Sequence, residues 1–452
     1  MTSLPPLIDF SLTCGGQLAE RCEVLVQRME EWEQEHNVRS RSLKDTDKLN
    51  RQLSTLTLVS NLYFNSKDKS QSTFGVPQSK TYYAENRKKL GKNITRSGIV
   101  RVLEFLVERG FAEIVSPGRK HPDAKQGIPT QVRGKKSFLE FLDHGDVSCL
   151  DIETTHPQVI LKSDKKSGKA LVDFEQTDAS RDMNDQVTLI NEVLLDHWAD
   201  LEIPHKDLLA LKDKGIDLEK TLYTGRRLRR IFNNSSFEYG GRFYGGWWQS
   251  IPSKLRHRIT INNEPTVELD YSSMHPRMLY AELGEECPID PYDVGLDPEH
   301  RDLVKKAFNA LINAKGRIKK FDDPEDGPFF DEEEIGMAWG NFLIKIKTSH
   351  PKLEPLFGTG IGLKFQRLDS DIAEATMLHF ARKDIPVLPV HDSFIIFEKY
   401  EDELRNVMKR EFKKKIKTSA LIKDIDNFIH QKTPRHKHDV AAGLYPTFTP
   451  AM

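Results

Sequence analysis

Residues 267–280 read VELDYSSMHPRMLY. An apolar run climbs to a single carboxylate, Asp270, and the pattern behind it turns helical. Side chains two apart on a strand share a face, so Val267 and Leu269 are predicted on one face of a strand ending at Asp270. Ser272 or Ser273 is placed to cap the helix that follows, and Pro276 is tolerated because it falls in the first turn. Such a stretch holds a carboxylate rigidly at the rim of a sheet.

A second stretch, IPVLPVHDSFIIFE (385–398), complements the first. Two apolar runs flank His391-Asp392-Ser393, which reads as a β-hairpin with Asp392 at its tip. One aspartate in a turn is ordinarily a turn former. Two carboxylates on neighbouring strands repel unless they share a cation, which makes Asp270 and Asp392 candidate metal ligands. Two Mg²⁺ ions about 3.5–4 Å apart, with Mn²⁺ as a substitute, activate a 3′-hydroxyl and hold the leaving pyrophosphate of a nucleotide.

In RDLVKKAFNALINAKG (301–316), Arg301, Lys305, Asn309 and Asn313 recur every four residues and line one helix face. A cationic face suits a triphosphate, although a solvated basic face is the commoner meaning of any single such helix. In FEYGGRFYGGWWQSIP (237–252), the Gly-Gly pair permits close backbone approach. Arg242, Phe243, Tyr244, Trp247 and Trp248 are candidates for phosphate and base contact, against a buried aromatic turn.

Taken in order, these stretches resemble the family A nucleic-acid polymerases and the phage-type single-subunit RNA polymerases, over roughly residues 225–415. ELDYSSMHPRMLY is similar to their first catalytic motif, and VLPVHDSFIIFE to their His-Asp motif. RDLVKKAFNALINAKG resembles the fingers helix that grips the incoming nucleotide. Gln366, in QRLDSDIAEATML, resembles the Gln-bearing helix at the primer–template, and FEYGGRFYG a D-x-x-G-R element with Glu238 in place of the Asp. The resemblance implies an α+β right-hand polymerase of palm, fingers and thumb. It implies Asp270 and Asp392 as catalytic metal ligands and Lys305 or a neighbour as candidate proton donor to pyrophosphate. Arg301, Lys305, Asn309, His275 and Tyr271 would then form the nucleotide site, with Arg242, Gln366 and His391 on template or primer.

Three departures bear on this. Asn309 replaces an aromatic and Asn313-Ala314 a Tyr-Gly, so stacking on the nucleotide is weaker or falls to Phe308. The fingers look short, with an acidic insertion inside them. His275 stands where the DNA enzymes carry Glu and the RNA enzymes a small residue. Its bulk favours deoxynucleotides, whereas the Gly-Gly-Arg element is nearer the RNA enzymes, so an RNA polymerase or primase is the alternative.

Upstream, ITRSGIVRVLEFLVERGFAEIVSPGRK (94–120) gives a helix capped by Thr95 or Ser97. Its apolar positions are Ile99, Val102, Leu103, Leu106 and Val107, and Gly110 stops it. A short strand, a basic turn and a returning strand and helix follow, in a layout that resembles a winged helix. From Lys80 to Lys136 there are 14 Lys or Arg against 5 Asp or Glu, a local excess of nine in a chain of net charge −1. Arg96, Arg101, Arg119 and Lys120 are the candidate nucleic-acid contacts; the alternative is a structural helix–hairpin domain with a solvated basic face.

The expected domains are 1–145, helical and winged-helix-like; 146–235, connecting or thumb-like; 236–435, palm and fingers, with fingers about 286–360; and a tail, 436–452. LDIET (150–154) resembles the first motif of proofreading exonucleases through Asp151 and Glu153, but a strand and polar turn fits better than a domain with no room for its other motifs. LINEVLLDHWADLEI (189–203) reads as one amphipathic helix, and SKDKSQSTFGVPQSK (66–80) and FDDPEDGPFFDEEE (321–334) read as loops.

The bulk numbers agree with such a protein. The 452 residues are 38% hydrophobic and 30% charged, and no apolar run approaches the ~18 residues of a membrane span. The N-terminus shows no secretory pattern. Cys14, Cys22, Cys149 and Cys287 are scattered, which argues for a reducing compartment and against a disulfide framework or zinc site. The expectation is a cytoplasmic monomer acting on DNA template and primer with nucleoside triphosphates, of a compactness that suits phage or plasmid replication. Its rivals are a DNA-binding replication initiator with an inactive core, and a nuclease using Asp151 and Glu153.

Overall fold

The computed structural model describes residues 7–36, 42–67, 73–86, 90, 93–119, 128–142, 152–154, 157–164, 167–216, 218–318, 330–416 and 429–432. Lys120, Asp151, residues 321–329 and the tail 436–452 lie outside them. The chain is mixed α and β and divides into two compact units, Met1–Pro157 and Gln158–Met452. No helix among the described residues is long and apolar enough to cross a membrane.

The first unit runs β1 (Leu12–Cys14), α1 (Gly16–Glu35), α2 (Asp45–Lys67), β2 (Thr73–Val76), α3 (Lys80–Glu85), α4 (Arg96–Glu108), β3 (Ala112–Ser116), β4 (Thr130–Gly134), α5 (Lys136–Leu142) and β5 (Ile152–Thr154). The Thr95 side chain accepts a hydrogen bond from the Gly98 amide at 3.1 Å and so caps α4. Ile99, Val102, Leu103 and Leu106 are buried, and Val107 is half-buried. Gly110, at φ 74°, ends the helix in the left-handed conformation that a side chain would resist. The antiparallel sheet has the order β2-β4-β3. Its outer strand corrects the loop expected at 66–80: Phe74 and Val76 point into the core, and that burial outweighs the polar composition around them.

The second unit runs β6 (Val159–Lys162), β7 (Leu171–Val172), α6 (Asp178–Asp196), β8 (Ala199–Leu201), α7 (His205–Asp213), α8 (Leu218–Thr224), β9 (Arg229–Asn233), β10 (Ser236–Tyr244), α9 (Ser253–Arg256), β11 (Ile259–Ile261), β12 (Glu264–Tyr271), α10 (Met274–Glu282), α11 (Arg301–Asn313), α12 (Glu332–Ile335), α13 (Trp339–Ser349), α14 (Gly362–Ala381), β13 (Leu388–Val390), β14 (Ser393–Phe397), α15 (Glu401–Ile416) and β15 (Ile429–Gln431). Its main sheet has the order β13-β14-β12-β11-β8, with β15 also on β12. A second sheet, β10-β9-β6-β7, is antiparallel except for the parallel pair β6–β9. Residues 158–235 thus supply strands to both sheets of this unit. One large core joins the main sheet to α10, α11, α14 and α15.

Two expectations need correction here. The helix expected over 189–203 ends at Asp196, because Ala199–Leu201 pairs with Ile259–Ile261 as the edge of the main sheet. The glycine-rich stretch is a strand in its first half, where β10 shifts register at Gly240 and Gly241 with φ of 78° and 83°, and a buried aromatic turn at Trp247–Ser250 in its second. A Cβ on Gly241 would stand 2.8 Å from the Phe232 ring and 2.9 Å from the Ser370 hydroxyl, so glycine is what lets β10 pack against α14. Phe243, Trp247 and Trp248 are core residues, and the Trp248 indole donates to the Pro389 carbonyl at 2.9 Å. They are closed to bases; Tyr244 alone of the four aromatics is partly exposed.

Candidate active site

Strand β12 has both faces buried, and Val267, Leu269 and Tyr271 alternate with Thr266, Glu268 and Asp270. It pairs with β14 in a register that sets Asp270 against Ser393. The β13–β14 hairpin closes with Val390 opposite Ser393, leaving His391 and Asp392 as its two-residue tip. His391 adopts φ 59°, the left-handed geometry such a tight turn requires. The expected hairpin is present, and the Tyr271 amide reaches the Asp392 carbonyl at 3.4 Å. The strand runs one residue beyond the expected end, to Tyr271. Ser273 takes the N-cap position of α10 in the left-handed region, without a side-chain capping bond.

Two acids on this strand have opposite circumstances. Glu268 is saturated: Arg256 meets its carboxylate twice at 3.0 Å and the Ser393 hydroxyl donates to it at 2.7 Å. Asp270 is 8% exposed, its Oδ2 lies 3.1 Å from the Lys432 ammonium, and its Oδ1 is buried without a hydrogen-bond partner. Burial and the neighbouring Asp392 charge push the Asp270 carboxyl up to about 7, although Lys432 pulls it down. A buried carboxylate oxygen with no donor, beside a second carboxylate, fits a hard divalent cation. Asp270 and Asp392 are the residues that would hold it. Among the described residues no group of three or more His, Cys, Asp or Glu gathers as a metal site. A two-carboxylate site suits Mg²⁺, which keeps waters and takes substrate phosphates as further ligands.

Beside Asp392 lies a cavity of about 300 Å³. Helix α11 lines it with Lys305, Asn309 and Asn313, α14 with Gln366, and the hairpin with His391. Ser273, Met274, His275, Tyr292 and Arg242 complete the wall. The structure therefore gathers Asp392, Lys305, Asn309, His275, Arg242, Gln366 and His391 from several segments between residues 242 and 392.

Other expected site residues lie elsewhere. Tyr271 is in the core, 1% exposed, with its hydroxyl donating to the Met408 carbonyl at 2.7 Å and its ring against Phe394 and Phe412. On the strand face opposite Asp270, it does not line the cavity and, being buried, is not available to a nucleotide. Phe308 is fully buried against Tyr292, His350 and Phe357, so stacking does not fall to it. Arg301 does not line the cavity; its guanidinium is held by both oxygens of Asp290 and lies over the Tyr292 ring.

Asp369 escaped the sequence reading. It is 5% exposed on α14, and Arg242 Nε reaches its two oxygens at 3.3 and 3.1 Å while His275 Nε2 lies 2.8 Å from Oδ2. Burial alone would raise its carboxyl, but His275 and the Arg242 charge outweigh that and hold it below the usual range. The available signal was its spacing: Asp369 follows Gln366 by three on a helix and so shares its face. Tyr292 was also missed, sitting in a turn with no periodicity, and so was Lys432.

In the first unit Arg119 is exposed, Arg101 lies 3.7 Å from Glu104, and Arg96 donates to the Gln78 carbonyl. Part of the basic excess is neutralised there, by Glu35 on Arg109 and Glu113 on Arg133.

No protein-family model matches the chain, and no curated protein matches it.

Proposed function

We propose that the chain is a template-directed nucleotidyltransferase of the right-hand polymerase class, adding deoxynucleotides to a 3′-hydroxyl. The observation that carries this reading is Asp270, with its unpartnered Oδ1, set by strand register opposite Ser393 and so next to Asp392, which borders a cavity lined by Lys305. Divalent cations bound there would supply the two-metal chemistry that activates the 3′-hydroxyl and steadies the leaving pyrophosphate. Lys305 neutralises charge on the triphosphate and is the proton donor to the leaving oxygen. Asp369 fixes the His275 imidazole in the wall, where its bulk opposes a 2′-hydroxyl. Arg242 is engaged with Asp369, so its part is to hold that wall more than to grip template. In the first unit, the order helix, strand, two helices and two strands, with sheet order β2-β4-β3, supports a winged-helix reading and contact with duplex DNA.

The test is extension of a labelled primer–template with Mg²⁺, for wild type, Asp270→Asn and Asp392→Asn. Each variant keeps the shape of the site and removes one charge. Extension should be abolished in both while DNA retention and the melting temperature without metal do not fall. Near wild-type extension by either variant would sink the assignment. Matched deoxy- and ribonucleotides in the same assay should show deoxynucleotides preferred, and ribonucleotides gaining ground in His275→Ala. A wild type that prefers ribonucleotides would move the chain to the RNA polymerase or primase side.

A further inference from the structure

The last described strand, β15, adds to β12 at Leu269, Asp270 and Tyr271, beyond the span paired with β11. The Lys432 amide then donates to the Glu268 carbonyl at 2.9 Å, which fixes where its side chain starts. From there the ammonium reaches Asp270 Oδ2 at 3.1 Å and approaches Glu268 Oε1 at 4.0 Å. Glu268 already has Arg256 as counter-ion, so the charge that Lys432 balances is chiefly that of Asp270. We infer that Lys432 is a built-in competitor of the divalent cation, holding one side of the Asp270 carboxylate until a metal ion takes that place. The inference rests on the reading of Asp270 and Asp392 as metal ligands, and extends it to a segment that no polymerase motif in the chain includes.

An ammonium and a divalent ion seek the same lone pairs, and they repel each other over a few ångströms. A lysine in contact with Oδ2 therefore weakens cation binding at Asp270 even while Oδ1 stays open. Its exposure favours exchange: the Lys432 side chain is 29% exposed, and a flexible four-carbon stem lets the head swing into water without unpairing the strand. Arg256, 7% exposed and fixed by Glu268 and the Ile251 carbonyl, has no such freedom. The site thus contains one anchored cation and one exchangeable cation.

The experiment is Mn²⁺ binding to the full-length protein without nucleotide or DNA, followed by electron paramagnetic resonance at pH 8.5 under argon. The high pH is needed because Lys432 pulls the Asp270 carboxyl down, so its loss makes a proton a stronger competitor there, and high pH opposes that proton. Lys432→Met keeps the stem and removes the charge, and Lys432→Arg keeps the charge. The Met variant should bind Mn²⁺ about tenfold or more tightly than wild type, as expected for a lost like charge at contact range, and the Arg variant should bind as wild type does. Asp270→Asn in the Met background should abolish the gain. Equal or weaker binding by Lys432→Met, in a protein that melts as wild type, would overturn the inference, as would a gain that survives Asp270→Asn. Absence of Mn²⁺ binding in every variant would overturn it too. Failure of polymerisation alone leaves these titrations intact, so they judge Lys432 separately from the catalytic reading.

Discussion

Asp270 sits 8% exposed between a second carboxylate and a single lysine, with one oxygen unbonded. Such a group is expensive to ionise without metal, which is why its carboxyl rises from 3.8 to about 7. The consequence for stability follows from the sign. A group whose folded value is raised contributes stability that is complete below about pH 3.8 and is lost as pH climbs through 7. In the presence of chelator, Asp270→Asn removes that loss. The variant should melt above wild type at pH 8.5 by several degrees, corresponding to a few kcal/mol, and the gap should narrow toward pH 5. Mg²⁺ should raise the wild-type melting temperature and do less for the variant. A melting gap that stays constant between pH 5 and 8.5 would show that Asp270 is not the strained carboxyl described above.

The elements explain which residues the cavity uses. The four-residue spacing of α11 predicts one basic face, yet of its four residues only Lys305, Asn309 and Asn313 line the cavity. Arg301 is at the start of the helix, where Asp290 captures it. Lys305→Ala should therefore lower kcat/KM for the nucleotide by about 10²-fold or more, and Arg301→Ala should cost distinctly less. Equal losses in the two variants, measured in single-nucleotide steady state, would mean that Arg301 leaves Asp290 to meet the triphosphate. The same comparison marks what was legible. Strand β12 and its helix, the hairpin at Asp392 and the capped helix α4 follow from local patterns: alternation, a tight turn between apolar runs, and a Thr cap ahead of a 3.6-residue period. Strands β2 and β8 did not, because their sequences look like a loop and a helix end and only distant partners make them strands. Asp369 and Lys432 were illegible for a related reason. Lys432 lies in no motif, Asp369 is marked only by sharing a helix motif with Gln366, and their roles depend on residues 162 and 94 positions away in the chain, Asp270 and His275. Tyr271 and Phe308 fail in the opposite sense: motif position suggested a binding role, and burial assigns them to the core.

At the scale of the molecule, the cavity and all its lining residues belong to the unit Gln158–Met452, while the basic excess belongs to Met1–Pro157. Chemistry and duplex affinity should then be separable by mutation within the intact chain. Arg101 and Arg119 are suitable probes, since Arg119 is exposed and Arg101 has only a loose 3.7 Å pairing with Glu104. Ion pairs of that kind are weak, so neither side chain is needed for folding. Each phosphate contact releases about one counterion, and the slope of log affinity against log salt counts such contacts. Arg101→Ala with Arg119→Ala should lower the magnitude of that slope by about two and weaken DNA binding uniformly across sequences. Extension at saturating primer–template should stay at the wild-type rate, because neither Arg101 nor Arg119 is among the residues that line the cavity. An unchanged slope would make the first unit a structural domain with a solvated basic face. A slope that falls together with the saturating rate would instead mean that the first unit positions the template for chemistry.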